Sequence, residues 1–361
     1  METAAETTRG VVVIAEIGVN HDGRVERAIE LVRAAKTAGA DAVKFQLFRP
    51  ERLLSQEAEL AGYQEGSAGS AAELLGRLTL TVDGLAEVRG AAARLGLAFV
   101  VTPFSLDDVA DLAELGVDAV KIASPDVVNS PLLEAAAGLG VPMVVSTGAA
   151  DLEELLPAAR LLAKHRVGKA TAWRGAGATL LQCVSSYPTP VDEAGLGGMI
   201  ALRDLLDAEG GEAVAVGYSD HTGGAGGVET GGWAVAAGAA VLEKHLTHDR
   251  SAVGPDHAAS LDPVGFAEYV QRVRLAESAM GGRAKVVSEI ERDVRRVSRQ
   301  SVAAAVDLEA GRDLAREDLT VMRPGTGVPA AELEWVVGRR LSRGVRAGGL
   351  LHWADLEGSK V

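Results

Sequence analysis

Eight short apolar segments, separated by stretches with helical periodicity, constrain the fold of this chain more than any other feature. They are VVVIAEIG (11–18), DAVKFQLF (41–48), LAFVVTPF (97–104), AVKIAS (119–124), PMVVSTG (142–148), ATLLQCVS (178–185), AVAVGYSDH (213–221) and VLEKHLT (241–247). Most are rich in β-branched residues and bounded by Gly, Asp or Pro, the marks of strands. Between them lie stretches such as RVERAIELVRAAKTAGA (24–40) and DDVADLAELGVD (107–118), and residues 264–283 read as a closing helix. Strand alternating with helix means parallel βα units, and eight units predict an α/β protein built on a (β/α)8 TIM barrel. A doubly wound open sheet is the competing arrangement, but no glycine-rich dinucleotide fingerprint follows the first strand.

The barrel is expected to occupy residues 1–284, followed by a charged linker at 285–297 and a small β-rich domain at 298–361. The small domain carries an internal repeat: AGRDLAREDL begins at Ala310 and AGGLLHWADL at Ala347. Gly311/Gly348, Leu314/Leu351, Asp318/Asp355 and Leu319/Leu356 correspond at a spacing of 37, which predicts a compact pseudo-symmetric fold. A core that small is marginal alone and is expected to lean on a neighbouring chain. Within the barrel, the long connection 49–96 has a Gly/Ser/Ala-rich centre, AGYQEGSAGSAAELLGRL, expected to form a mobile flap over the strand ends.

Charge and cysteine content exclude several classes. The net charge is −14, and it is uneven: 13 basic and 12 acidic residues lie from Lys285 onward, leaving 23 and 38 in the first 284. An acidic barrel argues against nucleic acid as a partner. The single cysteine, Cys183, excludes a disulfide framework and a Cys-rich zinc site. No apolar run approaches the ~18 residues of a membrane span, and METAAETTRG at the start lacks a signal-peptide core. A cytoplasmic location without membrane partners is expected.

Polar residues gather at the ends of the predicted strands: Glu16, Lys44 and Gln46, Thr102, Lys121 and Ser124, Ser146, Gln182 and Ser185, Ser219 and His221, and Glu243, Lys244 and His245. Strands of a parallel barrel should be almost continuously apolar, so these groups are costly unless they converge on a site at the top face. Lys44 and Lys121 each need an anion. Two readings are open for them, a Schiff-base lysine of an aldolase or a grip on phosphate and carboxylate; two lysines among neutral hydroxyl donors favour the grip. His221 and His245 end adjacent strands and are candidate ligands of one divalent ion, the alternative being two histidines satisfied by backbone carbonyls. Asp220 suits either. Glu16 is a candidate general base, sugar-hydroxyl acceptor or lysine partner, and Asp256 is reachable from the same face. His21, His165, His248, His257 and His352 read as loop or surface residues, and Cys183 as packing.

AEIGVNHDG (15–23), AVKFQ (42–46), TPF (102–104), KIAS (121–124), STG (146–148), QCVSSYPTP (182–190), GYSDHT (217–222), EKHLT (243–247), GPDHAASL (254–261) and MRPGTG (322–327) occur in this order. Together they resemble the sialic acid synthase family, the phosphoenolpyruvate-dependent nonulosonate synthases, and residues 298–361 resemble its antifreeze-like (SAF) domain. That resemblance implies condensation of phosphoenolpyruvate with an N-acylhexosamine, N-acetylmannosamine above others, and water, giving a nine-carbon sialic acid and phosphate, with a related nonulosonate of the legionaminic or pseudaminic acid type as the alternative product. It implies a divalent metal, Mn2+ with Mg2+ or Co2+ as alternatives, on the positions matching His221 and His245. It places phosphoenolpyruvate on Lys44, Thr102, Lys121, Ser124, Ser146, Ser185 and Ser219, and the sugar on Glu16, Gln46, Tyr187 and Asp256. Arg323 matches a position that reaches the sugar from the partner subunit of a domain-swapped homodimer. The chain departs from the family's SGE at Ser124-Pro125-Asp126, which bears on sugar specificity.

Overall fold

A computed structural model describes residues 10–55, 57, 70–169, 171–282 and 284–358. Eight parallel strands close into a barrel in sequence order: β1 Val12–Gly18, β2 Ala42–Leu47, β3 Ala98–Pro103, β4 Ala119–Ile122, β5 Met143–Ser146, β6 Ala178–Gln182, β7 Ala215–Asp220 and β8 Val241–His245. β1 pairs with β8, so the sheet has no edge. The chain separates into two compact units, one ending at Gly281 and one beginning at Gly282.

The helices start and stop where local chemistry directs. Ser105, Thr81 and Asp262 accept a backbone N–H at the starts of the helices Leu106–Leu115, Val82–Arg94 and Pro263–Met280. Gly39 ends the helix Val25–Ala38 and Gly116 ends Leu106–Leu115, both in the left-handed region, at φ 91° and 73°. The outward faces of the strands and the inward faces of these helices share one apolar core, including Val13, Ala15, Ile17, Val43, Phe45, Phe99 and Val101.

The inside of the barrel is layered, and strand alternation sets the layers. Val12 and Ile14, Ala42, Ala98 and Val100, Ala119, Val144, Leu181 and Val241 pack there together with Trp173. The next inward positions toward the strand C-termini are Glu16, Lys44, Lys121, Ser146 and Glu243, all buried. These five strands, β1, β2, β4, β5 and β8, therefore present apolar residues to the lower barrel and a polar one to its mouth.

In the C-terminal unit, β9 Ser301–Ala304 and β10 Leu319–Met322 form a two-stranded antiparallel sheet, supplemented by isolated bridges and short helical turns. The interval 285–297, expected as a linker, contains most of the short helix Arg292–Ser298. The 37-residue repeat is structural. Gly311 and Gly348 both have positive φ, 82° and 77°, where a side chain would be strained. Leu314, Leu351, Leu319 and Leu356 share one core. Asp318 and Asp355 are buried; each accepts a backbone N–H three residues back, from Ala315 at 3.0 Å and His352 at 2.8 Å, and each meets an arginine, Arg312 or Arg343. Asp355→Ala is expected to destabilise this unit by about 2 kcal/mol, the scale of hydrogen bonds to a charged group. Urea unfolding followed through tryptophan emission checks this, and an unchanged midpoint would refute it.

Candidate active site at the barrel mouth

The polar layer and the loops beyond it line a cavity of about 440 Å3. Of the residues given a ligand or metal role from the sequence, all line it except Thr102 and Arg323; of the other polar strand ends, Glu243 lines it and Gln182, Asp220 and Lys244 do not. Thr102 is buried, with its hydroxyl 3.5 Å from Lys44 Nζ, and does not line the cavity itself. Arg323 belongs to the C-terminal unit, beside the cis Arg323–Pro324 bond.

The charges are interleaved. Lys44 Nζ lies 2.9 Å from Glu16 Oε2 and 3.5 Å from Glu243 Oε1, while Lys121 Nζ lies 3.8 Å from the same Glu243 oxygen. Ser219 donates to Glu243 Oε1 at 3.2 Å, and Gln46 donates to Glu16 Oε1 at 3.0 Å. Burial opposes the charge on Lys44, but the two carboxylates outweigh it and hold the ammonium above its usual range. Lys121 donates to the Ile122 carbonyl at 3.1 Å and, among the described residues, pairs with one carboxylate, Glu243, so burial pulls it down. Burial likewise opposes ionisation of Glu243, yet Lys121 and Lys44 hold it below the usual carboxylate range. Glu16 goes the other way: burial raises it to about 7 despite Lys44, and burial raises Asp256 to about 6.

Glu243 is the charged member that the sequence reading grouped with the polar strand ends but gave no role of its own. Its signal was present: it stands two residues before His245 in VLEKHLT, and strand alternation puts both on the inner face.

The two histidines meet. Their ring centroids are 5.5 Å apart, with the Tyr187 ring 4.3 Å from His221 and 5.8 Å from His245. His221 Nδ1 lies 2.7 Å from the Val184 carbonyl, which can only accept, so Nδ1 carries the proton and Nε2 a lone pair. His245 Nδ1 is buried without a hydrogen-bond partner, 3.7 Å from Asp256 Oδ2. Burial lowers His221 to about 4 and His245 well below its usual value, so both rings are neutral. Neutral imidazoles with an available nitrogen suit a divalent transition ion. Among the described residues no cluster of three or more His, Cys, Asp or Glu side chains could hold a metal. A cation here would be held by His221 and His245, with its other positions filled by water or substrate oxygen.

Beside Lys121, Ser124 accepts from the Gly148 N–H at 3.1 Å and sits 3.2 Å from Cys183 Sγ. Ser146 Oγ and Glu243 Oε2 are buried without hydrogen-bond partners among the described residues, unused capacity that a ligand can satisfy. A side chain at Gly148 would collide with Ser185 Oγ and Cys183 Sγ, so the glycine keeps this corner open.

The opposite wall is apolar. Phe48, Leu53 and Phe104 line it together with Leu74, Leu75 and Leu78 of the helix Ala71–Leu78. This helix is the described end of the expected flap; residues 61–69 lie outside the described residues. Pro255 of the last barrel loop and Pro125 of the departing Ser124-Pro125-Asp126 also line the cavity. Asp126 instead accepts from Asn129 Nδ2 at 3.1 Å.

Two of the remaining histidines correct the sequence reading. His21 and His257 are loop residues but buried, each 1 % exposed. His21 accepts from the Gly23 N–H at 3.0 Å, and His257 bridges Asp22 at 3.0 Å and Thr247 at 2.6 Å. A partner within the same turn for His21, and partners including Asp22 of another loop for His257, offset the cost of burying these rings.

Comparison with known proteins agrees with this architecture. Residues 31–285 match the NeuB family and residues 299–357 the SAF domain. The chain is 37% identical over 348 residues to an N,N'-diacetyllegionaminic acid synthase of Legionella pneumophila, covering 96% of this chain and 94% of the relative. It is 35% identical to the enzyme of the same name from Campylobacter jejuni, covering 91% and 94%. A crystal structure of N-acetylneuraminic acid synthetase from Leptospira borgpetersenii superposes with a TM-score of 0.67 at 29% identity, covering 79% of this chain and 90% of that one. By sequence, fold and cavity, the chain is a carbon–carbon bond-forming transferase that belongs to the NeuB family of sialic acid and related nonulosonate synthases and carries a SAF domain.

Proposed function

We propose that the cavity condenses phosphoenolpyruvate with an open-chain acylamino sugar aldehyde and water, giving a nonulosonate and inorganic phosphate. The observation that carries this reading is the convergence of two lysines, three carboxyl groups and two neutral imidazoles on one cavity. Lys44 and Lys121 neutralise the phosphate and carboxylate of phosphoenolpyruvate, which an acidic barrel would otherwise repel. Ser124, Ser146, Ser185 and Ser219 supply neutral donors around them. C3 of phosphoenolpyruvate attacks the aldehyde carbon, forming the new C–C bond and leaving positive charge at C2. Water adds at C2 and loses a proton, and the C2–O bond to phosphate breaks, leaving a 2-oxo acid. His221 and His245 would hold a divalent ion, which would supply Lewis-acid polarisation of the aldehyde. Glu16, raised to about 7, handles the proton gained by the aldehyde oxygen or lost by the water.

The sugar is a diacylamino hexose in this reading, with N-acetylmannosamine as the runner-up. The apolar wall of Phe48, Leu74, Leu78 and Phe104 suits acyl methyl groups better than hydroxyls. Two of the similar enzymes, at 37% and 35% identity, are named for a diacetylated product. Mass spectrometry of products from phosphoenolpyruvate and a panel of mono- and diacylamino hexoses tests this. The expected result is a kcat/KM at least tenfold higher for a diacylamino hexose, and a preference for N-acetylmannosamine would overturn the assignment. Gly148→Ala is expected to raise the KM for phosphoenolpyruvate at least tenfold with little change for the sugar, because the added methyl fills the corner between Ser124 and Ser185. Equal KM values in steady-state assays would place the anion elsewhere.

Arg323 completes the sugar site from a partner subunit in this proposal. Arg323→Ala and Glu16→Ala homodimers should each be weak, while mixed dimers should recover activity in the one site that carries neither substitution. No recovery in heterodimers of confirmed composition would refute the exchange.

A further inference from the structure

The last rung of the β7–β8 ladder pairs Asp220 with Lys244, and the residues that follow each are His221 and His245. Ser219, His221, Glu243 and His245 line the cavity, so alternation turns Asp220 and Lys244 to the outside of the barrel. Both side chains are fully buried there, 0% exposed, with Lys244 Nζ 3.1 Å from Asp220 Oδ1. The Lys244 ammonium lies over the Tyr269 ring, 5.7 Å from its centroid. Neither charge faces the ligand cavity or solvent, so catalysis by contact does not explain them.

Their hydrogen bonds are directional and converge on the residue after His221. Asp220 Oδ1 accepts from the Thr222 N–H at 2.9 Å and the Thr222 hydroxyl at 2.6 Å, and Oδ2 accepts from Thr230. Lys244 donates to the Thr222 carbonyl at 2.7 Å. Thr222 is thereby tied to both strands, and His221 is held between Asp220 and Thr222. An apolar pair would join the two strands with a smaller desolvation penalty. What the ion pair adds is a fixed geometry for the backbone that carries His221 against the backbone that carries His245.

We infer that Asp220 and Lys244 are positioning residues for the metal centre, setting the separation of the His221 and His245 rings from behind the sheet. This rests on the reading that the two histidines hold a divalent ion. Full-length protein stripped with chelator and titrated with Mn2+, followed by electron paramagnetic resonance, measures the affinity directly, without turnover. A variant carrying Asp220→Asn and Lys244→Met together removes both charges at nearly constant volume. It should bind Mn2+ about 10- to 100-fold more weakly, the range for outer-shell partners of metal ligands, with an unchanged circular dichroism spectrum. Its Co2+-loaded form should show a shifted visible absorption spectrum, which loss of stability alone would not produce. Thr230→Val keeps both charges, removes one donor to Asp220, and should weaken Mn2+ binding about threefold. A folded double variant with wild-type Mn2+ affinity would overturn the inference; should that variant fail to fold, unchanged affinity in Thr230→Val would do so. No saturable binding by the wild type, or undiminished binding by His221→Ala, would instead remove the metal reading itself.

Discussion

His221→Ala and His245→Ala are each expected to reduce turnover at least 1,000-fold while leaving the barrel folded. Both rings are held neutral by burial, and His221 keeps its Nε2 lone pair because Nδ1 is engaged by the Val184 carbonyl. Removing either imidazole leaves one protein nitrogen at the centre, too few to hold a divalent ion against water. Prolonged chelation of the wild type should produce the same loss, reversed by Mn2+ and not by Ca2+, which favours oxygen ligands. Phosphate release from phosphoenolpyruvate in the presence of sugar is the readout. Wild-type rates in chelator-treated protein, with the double histidine variant equally active, would end the metal assignment.

Lys121→Ala is expected to raise the KM for phosphoenolpyruvate roughly 10- to 100-fold, with a much smaller change for the sugar, since a hydrogen bond to a charged ligand contributes about 1.5–3 kcal/mol. The arrangement of charges gives the reason. Glu243 is shared between Lys44 and Lys121, whereas Glu16 stands beside Lys44 alone. Lys121 therefore has the less neutralised ammonium and more capacity left for an incoming anion. The same variant separates this reading from a Schiff-base aldolase. An aldolase lysine would be trapped by borohydride with substrate, and its loss would abolish kcat rather than shift KM. An unchanged KM for phosphoenolpyruvate would exclude Lys121 from the grip.

The barrel and most of its site were legible from sequence because period-two alternation carries through every strand. Val12, Ile14 and Glu16, or Ala42, Lys44 and Gln46, read as an apolar run that turns polar at its end, and the inner face does the same in three dimensions. The repeat at Gly311/Gly348 and Asp318/Asp355 was legible because a left-handed glycine and a carboxylate accepting a backbone N–H three residues back are local devices.

Other features depended on distant segments meeting. The sequence by itself determined which residues could face the barrel mouth, since alternation is a property of the strand. Only the tertiary structure decided that Glu243 is shared by two lysines and that Thr102 meets Lys44 without lining the cavity itself. It also decided that helix Ala71–Leu78 closes one wall with leucines. Tertiary structure buried His21 and His257 as well, loop residues whose partners come from Gly23, Asp22 and Thr247. The physical reason is that pairing, depth and burial depend on the closure of β1 against β8 and on loop packing, which bring together groups as far apart as Asp22 and His257, or Asn20 and Leu246.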